Sequence, residues 1–193
     1  MQQFELESFF KDSNAILNGH FRLSSGLHSN LYFQSALILQ YPNKAIQLAT
    51  ELTNKLYKYG INKTKVDVVI SPAMGGVIIG HEVAKIFGVR AIFTERVNGI
   101  MTLRRGFSLK KNEKLLIIED VITTGISTKE VIEVVKKFDV KITAIASLIN
   151  RSPKDVNFKI PKFSLLYFNV KNYDEKTCPL CKLNVKIFKP GSR

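Results

Sequence analysis

The residues best suited to chemistry lie in one stretch, residues 115–128, with the sequence LLIIEDVITTGIST. Its apolar start predicts a buried strand, and the carboxylates of Glu119 and Asp120 follow at the strand's end. Gly125 permits a tight turn, after which the free N–H groups of a new helix favour a phosphate. Hydroxyl donors are added there by Thr123, Thr124, Ser127 and Thr128. The stretch therefore predicts a site for a phosphorylated ligand.

The two carboxylates suit either of two tasks. They can accept hydrogen bonds from sugar hydroxyls, or they can help hold a Mg²⁺ ion whose other ligands are water and substrate oxygens. An ordinary Ser/Thr helix cap would account for one hydroxyl of the stretch, but not for four hydroxyls beside two carboxylates. The spacings of the P-loop and of the dinucleotide fingerprint are both absent from it.

Strand–turn–helix units surround this stretch and predict a parallel sheet with helices on both faces. Predicted strands cover residues 66–70, 89–93, 115–118, 142–149 and 164–169. Predicted helices cover residues 3–17, 42–59, 77–87 and 127–138. Residues 20–35 predict two short strands around a turn at Ser25-Gly26. Ligands of such sheets bind at the carboxyl ends of the strands, so we expect the site at that edge.

The segment 94–114 does not fit this alternation. It contains Gly99, Arg104, Arg105 and Gly106, but no long apolar stripe. A connection of this length inside a compact domain is either a functional, mobile loop or a wrongly assigned element.

Composition narrows the class of protein. The 193 residues include 29 Lys+Arg and 16 Asp+Glu, a formal net charge of +13 at pH 7. This length fits one domain, and the charge suits nucleic acid, an anionic membrane, phosphorylated small molecules or merely solvated helix faces. Neither an apolar run of about 20 residues nor a signal-peptide pattern is found. A membrane span, a collagen-like repeat and a disulfide scaffold are excluded, and the cytoplasm is favoured.

Two cysteines, Cys178 and Cys181, form a single C-x-x-C pair. A closed zinc site needs four ligands, and the sequence offers neither a second pair nor a neighbouring histidine. A zinc site within one chain is therefore not expected, while one shared across a dimer stays open. The pair also lacks the strand-to-helix setting of a redox motif. His20, His28 and His81 are scattered and are expected to have structural or surface roles.

Four further segments extend the pattern of residues 119–128. They are FRLSSGLHS at 21–29, SPAMGG at 71–76, Glu95-Arg96 followed by MTLRRGF at 101–107, and an ending with CPLCK and KPGSR. Together they resemble the orotate phosphoribosyltransferases, a branch of the type I phosphoribosyltransferases, over nearly the whole chain. The resemblance implies a single α/β domain over residues 1–193, with a parallel central sheet flanked by helices at about 40–151. A small hood from about 1–39 and 152–193 would lie over the site.

The same resemblance implies an activity. Members of this family transfer the 5-phosphoribosyl group of 5-phospho-α-D-ribose 1-diphosphate to orotate, in the de novo synthesis of pyrimidine nucleotides. Mg²⁺ is implied as cofactor, held by Glu119 and Asp120 mainly through substrate and water. A homodimer with shared active sites is implied as well, with neither nucleic acid nor membrane as partner. The ribose and its 5′-phosphate are implied to bind Glu119, Asp120, Val121, Ile122, Thr123, Thr124, Gly125, Ile126 and Ser127.

Orotate is implied to contact Thr123 and Arg151, since a guanidinium pairs with a carboxylate in bidentate fashion. Without the resemblance, Arg151 would be interpreted equally well as a surface arginine that ends a strand. Tyr32 and Phe33 correspond to aromatic residues that flank the orotate ring. Two aromatic residues of a core would explain them equally well.

Diphosphate is implied to contact Met74 and Gly75, and Arg96 corresponds to an arginine that reaches the diphosphate of a neighbouring subunit. Asp120, Arg96 and Arg104 are the implied catalytic residues, with the 94–114 loop closing over the site. The chain departs from the better-known branch at Gly75, where a lysine is usual, and in a loop without histidine. A regulatory or nucleic-acid-binding protein on the same fold, and an enzyme acting on a purine base, are the competing hypotheses.

Overall fold

The computed structural model describes residues 3–23, 26–152 and 156–189. Ser24 and Ser25 of the predicted turn, Pro153 and residues 190–193 of the C-terminal motif lie outside the described residues. The strands are β1 (Ile16–Arg22), β2 (His28–Phe33), β3 (Val68–Pro72), β4 (Arg90–Val97), β5 (Ile100–Leu103), β6 (Lys114–Ile122), β7 (Lys141–Asn150), β8 (Lys162–Tyr167) and β9 (Asn172–Tyr173). The helices are α1 (Gln3–Lys11), α2 (Ala36–Leu39), α3 (Pro42–Lys58), α4 (Gly75–Phe87), α5 (Ile126–Val135) and α6 (Pro179–Lys182).

Six strands form the main sheet, in the order β5-β4-β3-β6-β7-β8. All neighbouring pairs run parallel except β4 and β5, which are antiparallel. The parallel sheet predicted from the sequence is confirmed. Its four predicted strands each overlap an observed one, and so does the further strand predicted at 164–169. The strands β3 and β6 lie side by side at the centre, so the loops at their carboxyl ends are neighbours.

Helices cover both faces of this sheet. They are needed there because successive apolar side chains of β6 point to opposite faces. Leu116 and Ile118 belong to an apolar cluster with α3 and α4, whereas Leu115 and Ile117 belong to a second cluster with α5. All four side chains are fully buried. The carboxyl end of β6 is therefore fixed from both sides. Every described helix is too short or too polar to cross a bilayer.

The N-terminal helix is shorter than predicted. It ends at Lys11, Asn14 adopts a left-handed conformation with φ of 52°, and β1 begins at Ile16. The prediction of a helix to residue 17 was wrong because Ile16 and Leu17 continue the apolar spacing of the helix while belonging to the strand.

The segment 94–114 begins with structure that the sequence analysis did not assign. β4 continues to Val97 and turns back as β5, with Asn98 and Gly99 at φ of 51° and 82° in the turn. Asn-Gly between two strands is the strongest short hairpin signal, and it could have revealed this element. β4 pairs with β5 from Thr94 to Val97, and we call residues 94–105 the arginine hairpin.

A second sheet of three strands, in the order β1-β2-β9, joins residues from the two ends of the chain. We call it the hood sheet. The backbone of Phe188 extends it, because the Phe188 N–H donates to the His20 carbonyl and the Arg22 N–H donates to the Phe188 carbonyl, both at 2.8 Å. β8 lies within the segment expected for the hood, but it forms an edge of the main sheet instead.

Candidate active site

The loop between β6 and α5 forms a small pocket lined by residue 119 and residues 121–128. Gly125 adopts φ of 73° directly before α5, and a Cβ there would lie 2.8 Å from Phe158 Cζ and 2.9 Å from Val156 Cγ1. Both its conformation and its surroundings therefore require glycine. Ile126 extends outward and is 57% exposed, which leaves the start of α5 open to a ligand. The predicted loop residues are thus brought together around one small concavity.

Glu119 is buried at the base of this pocket, where the Thr128 hydroxyl donates to its carboxylate at 3.4 Å. Burial, reinforced by the charge of adjacent Asp120, raises its pKa well above the usual value, and the bond from Thr128 opposes this only in part. A cation or hydroxyl donors beside these two adjacent carboxyl groups would stabilise their ionised form. Their oxygen atoms are also the donors that Mg²⁺ prefers, so Glu119 and Asp120 fit that ion.

Asp120 links this loop to the carboxyl end of β3. The Ser35 hydroxyl donates to its carboxylate, and a Cβ on Gly75 would lie 2.6 Å from Asp120 Cγ. Glycine at position 75 is therefore needed for this close approach. The structure places Met74 and Gly75, the predicted contacts of diphosphate, next to the β6–α5 loop. The Met74 side chain is 84% exposed there.

Arg151 follows β7 and is only 3% exposed. Its N–H donates to the Ile122 carbonyl at 2.9 Å, which places it beside the β6–α5 loop and excludes a surface role. The guanidinium donates to Asn172 Oδ1 at 3.1 Å and to the Leu31 carbonyl at 3.4 Å, while its Nε finds no partner among the described residues. Burial lowers the pKa of Arg151, and no carboxylate of the described residues pairs with it. A buried cation without a counter-ion is costly unless an anion joins it.

Tyr32 and Phe33 face different surroundings, because successive side chains of β2 point to opposite faces. Phe33 is buried against Phe168, with ring centroids 4.9 Å apart, and lies under Arg151 at 5.4 Å from its guanidinium carbon. Tyr32 is half-buried. Burial and the charge of Asp120 raise the pKa of its hydroxyl, while Arg151 lowers it. The Tyr32 hydroxyl therefore feels the charges of both Asp120 and Arg151, and Phe33 packs against Arg151 from the core.

The arginine hairpin carries three exposed guanidinium groups. Arg96 forms an ion pair with Glu130 and donates to Ser127 Oγ at 3.3 Å, so it lies beside the β6–α5 loop of its own chain. Arg105 donates to both oxygens of Glu95 at 2.9–3.0 Å, and Arg104 lies 3.8 Å from the same carboxylate. Each of the three guanidinium groups therefore has a carboxylate partner within its own chain.

The sequence analysis missed several contributors. Ser35 and Asn172 reach the site from distant segments, and no local spacing marks them. Glu130 lies on α5 close to the loop, but only the ion pair with Arg96 reveals its place in the site. A separate correction concerns the C-x-x-C pair, for which no neighbouring histidine was expected. His20 and His28 in fact lie beside Cys178 and Cys181, because the hood sheet brings the two ends of the chain together.

Comparison with known proteins places the chain among its relatives. The sequence model of the phosphoribosyl transferase domain family matches residues 38–167. An orotate phosphoribosyltransferase of Desulforamulus reducens is 47% identical over 193 residues, covering 100% of this chain and 98% of that protein. The chain belongs to the orotate phosphoribosyltransferase family. Another member, from Chlorobium phaeobacteroides, is 47% identical over 184 residues, or 95% of this chain and 93% of its own length.

Solved structures share the fold of this family member. The orotate phosphoribosyltransferase of Aeropyrum pernix superposes with a TM-score of 0.68 at 22% identity, covering 93% of this chain and 98% of that one. An adenine phosphoribosyltransferase of Thermoanaerobacter pseudethanolicus superposes with a TM-score of 0.60 at 14% identity, covering 72% and 88%. At these identities the likeness concerns the fold alone, and the predicted type I phosphoribosyltransferase-like α/β class is confirmed.

Proposed function

We propose that the protein transfers the 5-phosphoribosyl group of 5-phospho-α-D-ribose 1-diphosphate to orotate, giving orotidine 5′-monophosphate and diphosphate for pyrimidine nucleotide synthesis. The observation that carries this proposal is Arg151, a buried guanidinium beside the β6–α5 loop whose Nε has no partner in the described part of the chain. The carboxylate of orotate would supply the missing counter-ion in bidentate geometry. Membership of the orotate phosphoribosyltransferase family supports the same reaction.

The β6–α5 loop would hold the phosphoribosyl group. The N–H groups at the start of α5, with the hydroxyls of Thr123, Thr124 and Ser127, suit the 5′-phosphate. Glu119 and Asp120 suit the ribose hydroxyls. As the bond to diphosphate breaks, positive charge develops on the sugar and negative charge on the leaving group. Positioning and fixed charges then lower the barrier without a covalent nucleophile.

We propose Mg²⁺ as the cofactor, with Asp120 as the accessible carboxylate and Glu119 behind it. When bound, the ion would neutralise charge on the diphosphate. Both carboxylates would act mainly through substrate oxygens and water, because Glu119 is buried and Asp120 already accepts from Ser35.

We further propose a homodimer in which the arginine hairpin serves the diphosphate of the neighbouring subunit. Its three guanidinium groups are exposed and each takes part in a surface ion pair, an interaction that is weak and readily exchanged. Closure of this hairpin would exclude water from the reacting bond. The proposed location is the cytoplasm, where thiols such as those of Cys178 and Cys181 stay reduced.

A purine base lacks the carboxylate that Arg151 requires, and would leave that guanidinium buried and unpaired. Sites with an unpaired buried polar group reject such substrates strongly. The test follows the absorbance of orotate with the diphosphate donor and Mg²⁺, with adenine, hypoxanthine and uracil in parallel. We expect orotate to be the only one of the four bases that is turned over. This activity should be lost when Mg²⁺ is chelated. Turnover of adenine or hypoxanthine without orotate turnover would overturn the proposal.

A further inference from the structure

Four side chains that can ligate a metal meet in the hood, away from the β6–α5 loop. His20 lies on β1, His28 begins β2, and Cys178 and Cys181 flank the start of α6. Their ligand atoms all lie within 4.8 Å of one another. His20 Nε2 is 3.0 Å from His28 Nδ1 and 3.5 Å from Cys178 Sγ, while Cys181 Sγ is 3.3 Å from His28 Nδ1 and 3.7 Å from His20 Nε2.

These separations match a metal-centred tetrahedron. With metal–nitrogen bonds of about 2.0–2.1 Å and metal–sulfur bonds of about 2.3 Å, a tetrahedral zinc ion sets its nitrogen ligands about 3.3 Å apart and its nitrogen and sulfur ligands about 3.6 Å apart. The four observed pairs, at 3.0–3.7 Å, fall around those values. Four of the six separations between the ligand atoms are therefore close to those of a tetrahedral site, and the other two do not exceed 4.8 Å.

The tautomer of His20 directs a lone pair into the cluster. His20 Nδ1 lies 2.8 Å from the Val185 carbonyl, which can only accept, so this nitrogen carries the proton. In the neutral imidazole, Nε2 is then unprotonated and faces His28 and both sulfur atoms. A carbonyl on the second ring nitrogen is the usual outer partner of a metal-ligating histidine, because it fixes the orientation of the ring.

Three of the four ligating side chains are buried, so the cluster belongs to the folded interior and is not a chance meeting of surface groups. His20 is 1% exposed, His28 is 2% exposed and Cys178 is fully buried, while Cys181 is partly accessible. A surface pocket lined by Arg22, Glu175 and Asn184 reaches His28 and Cys181, and it gives an ion a path to the cluster.

We propose that His20, His28, Cys178 and Cys181 of a single chain bind one structural Zn²⁺ ion. Sulfur and imidazole ligands select zinc over Mg²⁺ or Ca²⁺, which prefer oxygen. Two thiolates would balance the charge of the ion within the buried site. Four protein ligands leave no position for a substrate, so this ion would stabilise the fold without acting on the reaction.

The proposed ion would hold the hood together. It would join β1, β2 and the C-terminal segment, which otherwise meet through short strand pairings such as His28 with Tyr173 and Ser29 with Asn172. Small sheets with little core of their own are commonly stabilised by a metal or a disulfide. A disulfide between the two cysteines would leave the inward-facing nitrogen atoms of His20 and His28 without a role.

The test measures metal in the full chain, purified without an affinity tag that binds metal. We expect about one zinc ion per chain in the unmodified protein and less than about a tenth of that in the double variant Cys178→Ser/Cys181→Ser. His81→Asn is the matched control, because His81 is exposed on α4 and lies outside the cluster. It should keep the full zinc content. Zinc retained by the double variant would overturn the proposal, as would one ion for every two chains.

A second measurement does not depend on the folding of a variant. Unmodified protein stripped of metal under reducing conditions is titrated with Co²⁺, which should give the intense visible bands of tetrahedral cobalt and sulfur-to-cobalt charge transfer in the near ultraviolet. Added Zn²⁺ should abolish these bands and raise the melting temperature. No uptake of either metal by the reduced protein would overturn the proposal, and so would a mass that shows the cysteines joined in a disulfide in freshly isolated protein.

Discussion

The β6–α5 loop and the hood sheet hold their polar groups by different means. The carboxylates and hydroxyls of the loop lie within ten consecutive residues. They are held in place by β6 and α5, whose apolar side chains are buried in the core. The hood brings together His20, Cys178 and other groups that lie more than 150 residues apart in the chain. The loop is therefore determined locally, whereas the hood depends on long-range contacts.

Arg151 stands where the two regions meet, and its loss should have the largest effect. Arg151→Ala should lower kcat/KM for orotate about thirtyfold or more, since removing one partner of a buried charge pair costs roughly 2–5 kcal/mol. Steady-state kinetics with each substrate varied would check this, and the KM for the diphosphate donor should change little. Arg90→Ala is the matched control, because Arg90 pairs with Glu113 at the start of β4, the opposite end of that strand from the site. Equal losses in both variants would refute the assignment of Arg151.

The arginine hairpin tests whether a third region contributes to the site. Arg96→Ala and Arg104→Ala should each lower turnover more than tenfold, about 1.4 kcal/mol or more in barrier height, because the leaving diphosphate loses a positive charge. Turnover numbers measured at saturating substrates would decide this. Lys111→Ala, which removes an exposed charge paired with Asp139, should leave turnover unchanged. Near-normal turnover in both arginine variants would exclude the hairpin from catalysis.

The contact between the ends of β3 and β6 can be disturbed by one methyl group. Gly75→Ala should lower turnover about tenfold, because the new Cβ would displace the Asp120 carboxylate. Circular dichroism should show a retained fold. Gly88→Ala is the control, since Gly88 has φ of 72° and open space around it. It should cost about 1 kcal/mol of stability without affecting turnover. Full activity of Gly75→Ala would show that the close approach of Gly75 to the Asp120 carboxylate is not needed for the reaction.

The smallest effect concerns stability and Glu119. A carboxyl group whose pKa is raised by folding stabilises the folded state fully below its unfolded pKa of about 4.3, and this contribution is lost as the pH rises through the folded pKa. Glu119→Gln, studied without Mg²⁺ or substrate, should therefore unfold at a higher temperature than the unmodified protein at pH 7.5, and this gain should vanish near pH 4. Glu133→Gln, at an exposed position on α5, should show no such gain. A gain that is the same at both pH values would contradict the burial argument.

Local patterns predicted much of the fold. Helix α3 was predicted within one residue, since Pro42 starts it and Gly60 follows its end. The strands of the main sheet followed from runs of apolar residues that are buried on both faces. The predictions failed where one local pattern fits two structures, as at Ile16 and Leu17, or where a turn signal was overlooked, as at Asn98-Gly99.

The candidate site divides in the same way. The sequence by itself determined the β6–α5 loop, because a strand end, a tight turn and a helix start follow from neighbouring residues. It also suggested Arg151, but not that this guanidinium is buried. Only the tertiary structure decided that Arg151 is buried with no carboxylate partner among the described residues, and that His20 and His28 face the two cysteines. These properties arise from strand pairing across the chain, and the sequence near any one of these residues carries no record of which distant segment will pair with it.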